Sequence, residues 1–498
     1  MTHFIFLGAL LLLTSIVLSK TSYRFGVPAL LLFLVTGILG GSEGIGGIEF
    51  DDYGFAQFIG NVALIFIMFS GGLETKLSTI KPVLREGVIL STLGVLCSVF
   101  VVGYFVYLVT DFSFLVSMLI GSIVSSTDAA AVFGVFRSRK MGLKHNLRPL
   151  LELESGSNDP MAFIMTTTFI YLIQSPDTSF GMMALMLLQS IVFGTIAGWA
   201  FGRAMVWTIN KIKLDTDGLY PVLGISLALL AFSATDLIGG NGFLAVYISA
   251  VILGNRSFVH KKSLMRFNDG LAWLMQVVMF LMLGLLVYPS HIVPVMGIGI
   301  VISLFMIFVA RPLVVFVLMA LSKFSVRDKI FISWGGLRGA VPIVFATYAL
   351  VSGVPHAETI FNIVFFISVS SVLIQGTSLP FMARILKLDL PASDANAHPL
   401  DYEISESFQS ELVETRVEHG SAMVGKKIVE LKIPQSVLII LIYRNGKYFA
   451  PNGSTVIEEN DGLTLMSEND ADIGIMTLMC APVPENDALE KKLHLLSH

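Results

Sequence analysis

Ser125-Ser126-Thr127-Asp128-Ala129-Ala130-Ala131 and Glu154-Ser155-Gly156-Ser157-Asn158-Asp159 set two carboxylates, Asp128 and Asp159, among long apolar runs. A carboxylate at bilayer depth costs about 2.5 to 3.5 kcal/mol even on the mildest scale, so it faces a polar cavity and belongs to an ion or proton path. The rest of the chain agrees: 54% of its 498 residues are hydrophobic and 14% charged. That is more apolar than a soluble core accommodates and indicates several membrane spans. The net charge of −4 gives no sign of nucleic-acid binding. Cys97 and Cys480 are the only cysteines and lack partners at metal-ligand spacing, which predicts neither a disulfide framework nor a zinc site. No cofactor is expected.

Working outward from these two stretches, apolar segments of crossing length fall near residues 3–19, 25–40, 57–73, 86–109, 113–136, 149–173 and 181–208. Six more follow near 218–235, 241–255, 268–288, 292–322, 328–352 and 357–383. The run from Phe4 to Leu18 has no basic stretch before it, with Lys20 and Arg24 after it, and reads as a true first span rather than a secretory signal. Charge placement tests the map, because cytoplasmic loops near span ends are rich in Lys and Arg. Alternate loops carry Lys20 and Arg24, then Lys76, Lys81 and Arg85, then the cluster from Arg137 to Arg148, and so on to Lys323, Arg327 and Lys329. The loops between them hold acidic and neutral residues such as Glu43, Asp51, Asp111, Asp177, Asp236 and Glu358. This alternation puts the N-terminus outside and everything after Arg384 in the cytoplasm.

Two spans are expected to be interrupted. Ser125 to Asp128 concentrates backbone-competing side chains in the fifth. In the twelfth, Gly335-Gly336-Leu337-Arg338-Gly339-Ala340-Val341-Pro342 weakens a helix at comparable depth. Paired broken helices in corresponding positions point to a secondary transporter's midplane site, and the offset of seven spans between them inverts the second half relative to the first.

On the sixth span Ser155 and Asp159 are four apart and share a face, so a hydroxyl and a carboxylate converge on one small cation. Pro160 has no N–H for the carbonyl of Gly156, which frees that oxygen as well. Glu154 lies about 140° around the helix from Asp159, so it is available to a buried arginine, and Arg338 is the expected partner. Burial disfavours a bare carboxylate and a bound cation favours it, so proton and cation compete for Asp159. If the protein changes its facing only with one of them bound, flow of one drives the other: antiport. Arg311, in Arg311-Pro312, either stabilises the site electrostatically or neutralises a helix end, and Glu74 is a possible site-lining residue.

Thr127-Asp128, the segment Glu154 to Asn158-Asp159, and Gly335-Gly336-Leu337-Arg338-Gly339 together resemble the signature of the monovalent cation:proton antiporter family, which includes NhaP-type exchangers and the animal sodium/proton exchangers. The resemblance covers most of the membrane part. It implies a homodimer with one set of helices at the interface and another forming a moving core. It implies that Asp159 is the exchanging carboxylate, that Asp128, Ser155 and Thr127 complete or shape the site, and that Asn158 ties the two broken regions together. Glu154 and Arg338 correspond to the family's structural ion pair. An Asn at 158 cannot take up a second proton, which favours one-for-one, electroneutral exchange.

Hydropathy falls after Leu390, and residues 386–402 read as a linker. Val437 to Tyr443 reads as a strand, Asn445-Gly446 as a hairpin turn, Tyr448 to Ala450 as the return, and Leu463 to Met466 as a further strand. The segment from about Glu411 to Ser467, with Gly425, Asn445-Gly446 and Pro451-Asn452-Gly453, resembles the C-terminal subdomain of regulators of potassium conductance. Such domains commonly dimerise and bind small ligands, which implies gating by a cytoplasmic signal, or stabilisation of the dimer alone, and tilts the cation toward potassium.

The expected fold is an all-α polytopic membrane protein of about thirteen transmembrane helices, an inverted repeat with two broken crossing helices, plus a small cytoplasmic α/β domain. Its divisions are a transport domain over 1–385, the linker, the regulatory domain over 403–480 and a tail over 481–498. The expected function is electroneutral exchange of a monovalent cation, potassium before sodium or lithium, for protons across a bacterial inner membrane. A ligand-gated cation channel is the rival from another class, against which stands the absence of any Thr-Val-Gly-Tyr-Gly-like filter. No arrangement of nucleophile, base and orienting residue suggests an enzyme.

Overall fold

The structure, a computed structural model, describes residues 2–25, 28–139, 141–391, 411–431, 433–434, 436–444, 447–467, 475–476 and 479–480. It divides into two compact units, residues 1–394 and 395–498. The expected Asn445-Gly446 turn, the 481–498 tail and most of the 386–402 linker lie outside the described residues.

The first unit is helical. Its helices are α1 (Thr2–Phe25), α2 (Ala29–Gly40), α3 (Tyr53–Glu74), α4 (Leu77–Val109), α5 (Phe114–Ile123), α6 (Ala129–Ser138), α7 (Leu147–Gln174) and α8 (Phe180–Lys211). They continue as α9 (Leu219–Leu237), α10 (Gly242–Gly254), α11 (Lys261–Leu285), α12 (Pro289–Leu318), α13 (Val326–Gly335), α14 (Val341–Val351) and α15 (Ala357–Ile385). Every interval expected to span carries a helix or a pair of half-helices. Seven helices among the described residues are long and apolar enough to cross a membrane. Others are shorter but apolar, including α2, α5, α10 and α14. In α7 the polar stretch from Glu152 to Asp159 lowers the hydropathy.

Both expected interruptions are present. The fifth span is α5 and α6 with residues 124–128 unwound between them, and the twelfth is α13 and α14 with 336–340 unwound. Helix α7 runs through the middle of the unit and packs against all four half-helices. Away from water, each backbone group released by such a break needs a partner, and the structure supplies several of them. The N–H of Asp128 donates to the carbonyl of Leu337 at 2.7 Å, joining one break to the other. Arg338 Nε returns the exchange by donating to the carbonyl of Val124 at 2.7 Å. From α15, where a π-turn spans Val372–Gly376, Ser371 Oγ accepts the N–H of Arg338 at 3.0 Å and Gln375 Nε2 donates to the carbonyl of Trp334 at 2.9 Å.

A short antiparallel ribbon, β1 (Met141–Leu143) with β2 (Asp389–Pro391), ties the turn between α6 and α7 to the chain leaving α15.

In the second unit β3 (Glu411–Arg416), β4 (Val437–Arg444), β5 (Lys447–Phe449) and β6 (Gly462–Ser467) form an antiparallel sheet in the order β3-β6-β4-β5. The strands expected at 437–443, 448–450 and 463–466 are all present, and β3 completes them. Among the described residues this unit is β-rich, with helical structure confined to Ile428–Glu430 and two short pieces near 475–480. Its core is Val417, Met423, Ile442, Ile457, Leu463 and Leu465. At its edge Arg444 clamps Asp461 through two hydrogen bonds of 2.8 and 2.7 Å, a bidentate pairing that holds the guanidinium pKa above its ordinary value.

Candidate cation and proton site

Asp159 projects from α7, one turn past Ser155, toward the unwound residues between α5 and α6. Its Oδ1 accepts a hydrogen bond from the hydroxyl of Ser126, and the residue is half-buried rather than sealed. Ser126 lies inside the quoted run but was not expected to touch Asp159. Helical spacing gives no bearing for a residue in an unwound segment, so no periodicity could have assigned it.

The other expected site residues gather at the same break. Asn158 Nδ2 donates to Thr127 Oγ1 at 2.5 Å, and its Oδ1 is buried with no hydrogen-bond partner among the described residues. Ser155 Oγ donates to the carbonyl of Thr127 at 2.8 Å and accepts the N–H of Ala129 at 2.9 Å. Ser155 thus fastens α7 to the end of the break that leads into α6. Asp128 Oδ1 accepts the N–H of Ala131 at 3.0 Å, an N-cap on α6 in which a carboxylate meets the positive end of the helix. Asn158 was expected to tie the two broken regions together. Its amide reaches only the first, and the link between breaks is made by Asp128 and Leu337 backbone and by the Arg338 side chain.

The arginine assigned to Glu154 is a correction. Glu154 Oε1 is paired with Arg311 Nη2 of α12, both side chains almost fully buried, whereas Arg338 was expected. Arg338 is engaged by the carbonyls of Val124 and Gly336, which the two breaks leave without helical donors. Arg311 fits because position 336 has no side chain: a Cβ there would meet Arg311 Nε at 2.5 Å. The same holds at Gly339, where a Cβ would collide with the Asp128 carboxylate. These two glycines let one break receive an arginine and lie against the other.

A cavity of about 610 Å³ opens beside the site. Glu74 and Asp269 stand on its wall, and it reaches Ala130 and Ala131 in the first turn of α6, next to Asp128. Glu74 therefore lines this cavity, whose wall includes neither Asp128 nor Asp159. No group of three or more His, Cys, Asp or Glu side chains suited to a multivalent metal occurs among the described residues.

Two interrupted helices crossing at their breaks, over a helix that offers a carboxylate to the crossing, define an ion exchanger of the membrane-antiporter class. The chain belongs to the sodium/hydrogen exchanger family: residues 8–385 match the transmembrane sodium/hydrogen exchanger model, and residues 412–471 match the TrkA-C domain. It is similar to the K(+)/H(+) antiporter NhaP2 of Shewanella baltica, 36% identical over 98% of this chain and 84% of that protein. Similarity to the K(+)/H(+) antiporter NhaP of Alkalimonas amylolytica is also 36%, over 92% of this chain and 79% of that protein. Among solved structures, the sodium proton antiporter MjNhaP1 of Methanocaldococcus jannaschii at pH 8 superposes with a TM-score of 0.68, covering 76% of this chain and 99% of that one. At 24% identity that likeness speaks for the fold alone. The chain is a multi-pass membrane cation/proton antiporter.

Proposed function

We propose that this protein exchanges potassium for protons, one for one, by alternating access with competition at Asp159. The observation that carries the reading is the half-buried Asp159 carboxylate, which accepts a hydrogen bond from Ser126 of the unwound segment, while Asn158 and Ser155 of the same helix hold the next residue, Thr127. A carboxylate withdrawn from bulk water is stable when neutralised, and a proton or one small cation among these oxygens does that equally well in charge. Both cannot be held at once, so loading one requires release of the other. Glu154 and Arg311 carry no part of the exchange. They neutralise each other and fix α7 against α12.

The cavity lined by Glu74 and Asp269 is the inward route in this reading, and its acidic residues favour entry of cations. The charge alternation between loops supports an external N-terminus and a cytoplasmic C-terminal domain. Residues 1–385 are the transport domain, 386–402 the linker, 403–480 a regulatory domain and 481–498 a tail. A homodimer and a small-molecule ligand at the C-terminal domain complete the proposal. Potassium is favoured over sodium and lithium because relatives 36% identical along most of the chain are named K(+)/H(+) antiporters.

The test is exchange in proteoliposomes loaded in turn with potassium, sodium and lithium, with a pH dye inside. Asp159→Asn is expected to abolish cation-dependent proton movement while the protein stays folded. Retained exchange in that variant would remove Asp159 from the mechanism. Sodium or lithium outrunning potassium would reassign the substrate, and single-channel currents would replace the antiporter with a channel.

A further inference from the structure

Between α6, which Asp128 caps, and α7, which carries Asp159, the chain turns within residues 141–147, and separate ties hold that turn. The first is the β1–β2 ribbon, pairing Met141, Gly142 and Leu143 with Pro391, Leu390 and Asp389. It is extended by Lys144, whose N–H donates to the carbonyl of Leu388 and whose Nζ donates to that of Lys387, each at 3.0 Å. The second is His145, whose Nδ1 lies 2.9 Å from Oδ1 of Asp328. Asp328 is itself buried and closes a capping box with Ser325 at the start of α13, the first half of the other broken helix. His145 and Asn146 both sit at φ 58°, a left-handed conformation that residues with side chains adopt where their surroundings impose it.

The partner strand gives this turn its meaning. β2 ends at Pro391, and the chain runs from there directly through residues 392–410 to β3 of the TrkA-C unit. On its other side β2 is anchored to the transport unit. Lys387 and Leu388 donate to Arg384 and Ala383 at the end of α15, and Leu388 is buried in the apolar core. Any bias placed on the chain beyond Pro391 is therefore shared between the end of α15 and the turn that sets α6 against α7. A three-residue ribbon is a weak element, one that pairs or parts without unfolding its neighbours.

We propose that this strap is the route by which the C-terminal domain acts on the ion site: bias on β2 pairs or parts the ribbon, β1 and its turn shift as it does so, and His145 passes the displacement to α13. The proposal rests on the antiport reading above. His145 is a positioning residue in it and touches no ion.

The strap can be locked. A Cβ at Gly142 would stand 3.5 Å from that of Leu390, within the roughly 3.5 to 4.5 Å that a disulfide spans. Gly142→Cys with Leu390→Cys, in a Cys97→Ala background, gives a full-length protein whose ribbon is closed by oxidation and released by reduction. Cys480 stays: it is buried, and burial raises its thiol pKa, which keeps it unreactive. A protease site placed between residues 392 and 410 then allows the C-terminal domain to be cut loose after reconstitution. In reduced protein, cutting should change the exchange rate or the apparent cation affinity by about fivefold or more, the lower range of allosteric couplings. In oxidised protein the change should fall below about twofold. The same change in both states, or none in the reduced state, overturns the strap. His145→Ala in uncut and cut protein provides the second arm. It should exchange when uncut and lose most of its response to cutting, and a full response would overturn the role of His145. Absence of exchange in the native, unsubstituted protein would refute the antiport reading, whereas exchange indifferent to cutting refutes only the strap.

Discussion

Glu154 and Arg311 are paired with both side chains almost fully buried, and Glu154 Oε2 and Arg311 Nε lack hydrogen-bond partners among the described residues. Such a pair adds little net stability over an apolar isostere, but either half alone is a bare buried charge. Arg311→Met is therefore expected to cost about 3 to 5 kcal/mol, read as a large fall in thermal unfolding temperature in detergent. Adding Glu154→Leu to it should restore most of the loss. If the single and double variants unfold together, Glu154 is not held by Arg311. The identity of this partner was not legible in the sequence. Two arginines, Arg311 and Arg338, lie inside apolar runs, and the choice between them depends on which backbone carbonyls the breaks expose. No linear spacing carries that information.

The two broken helices are the elements on which the site depends, and their existence was readable from composition. Ser and Thr beside an Asp, or three glycines with a proline, weaken a helix in an apolar run. What composition could not tell is that the breaks meet each other. Their union rests on the backbone bond from Asp128 to Leu337, on the Arg338 side chain reaching the carbonyl of Val124, and on the missing side chain at Gly339. The supporting Ser371 and Gln375 did leave a trace, two polar residues four apart in an apolar helix, in contact through Oγ and Oε1 at 2.6 Å. Gly339→Ala places a Cβ on the Asp128 carboxylate, and it should lower exchange by tenfold or more, about 1.4 kcal/mol in barrier terms, without dispersing the fold. Gly297→Ala, in α12 with open space around it, is the control and should be neutral or slightly stabilising, since Ala is the better helix former. Equal losses in the two variants would mean that the crossing tolerates separation.

For the molecule as a whole, the decisive property is how much charge crosses the membrane in one cycle. In the proposed scheme the transport unit moves with either one cation or one proton on Asp159, so the two half-cycles carry the same charge and cancel. Asn158 enforces this, because its amide, held against Thr127, has no proton to take up or release at working pH. Arg311 adds no exchangeable proton, since a guanidinium stays charged. An imposed membrane potential should then leave the exchange rate of the native protein unchanged. Proteoliposomes adsorbed to a solid-supported membrane should give no sustained transport current when a cation gradient is applied. Asn158→Asp sets a second carboxylate beside the first, and a half-cycle that returns two protons for one cation moves a net charge, coupled to the field by about 2.3 kcal/mol per 100 mV. That variant should pass current and become faster under one sign of potential. Sustained current from the native protein would show that a second ionisable group travels with Asp159, with Asp128, one residue from Thr127 and already solvent-accessible in part, as the group to substitute next.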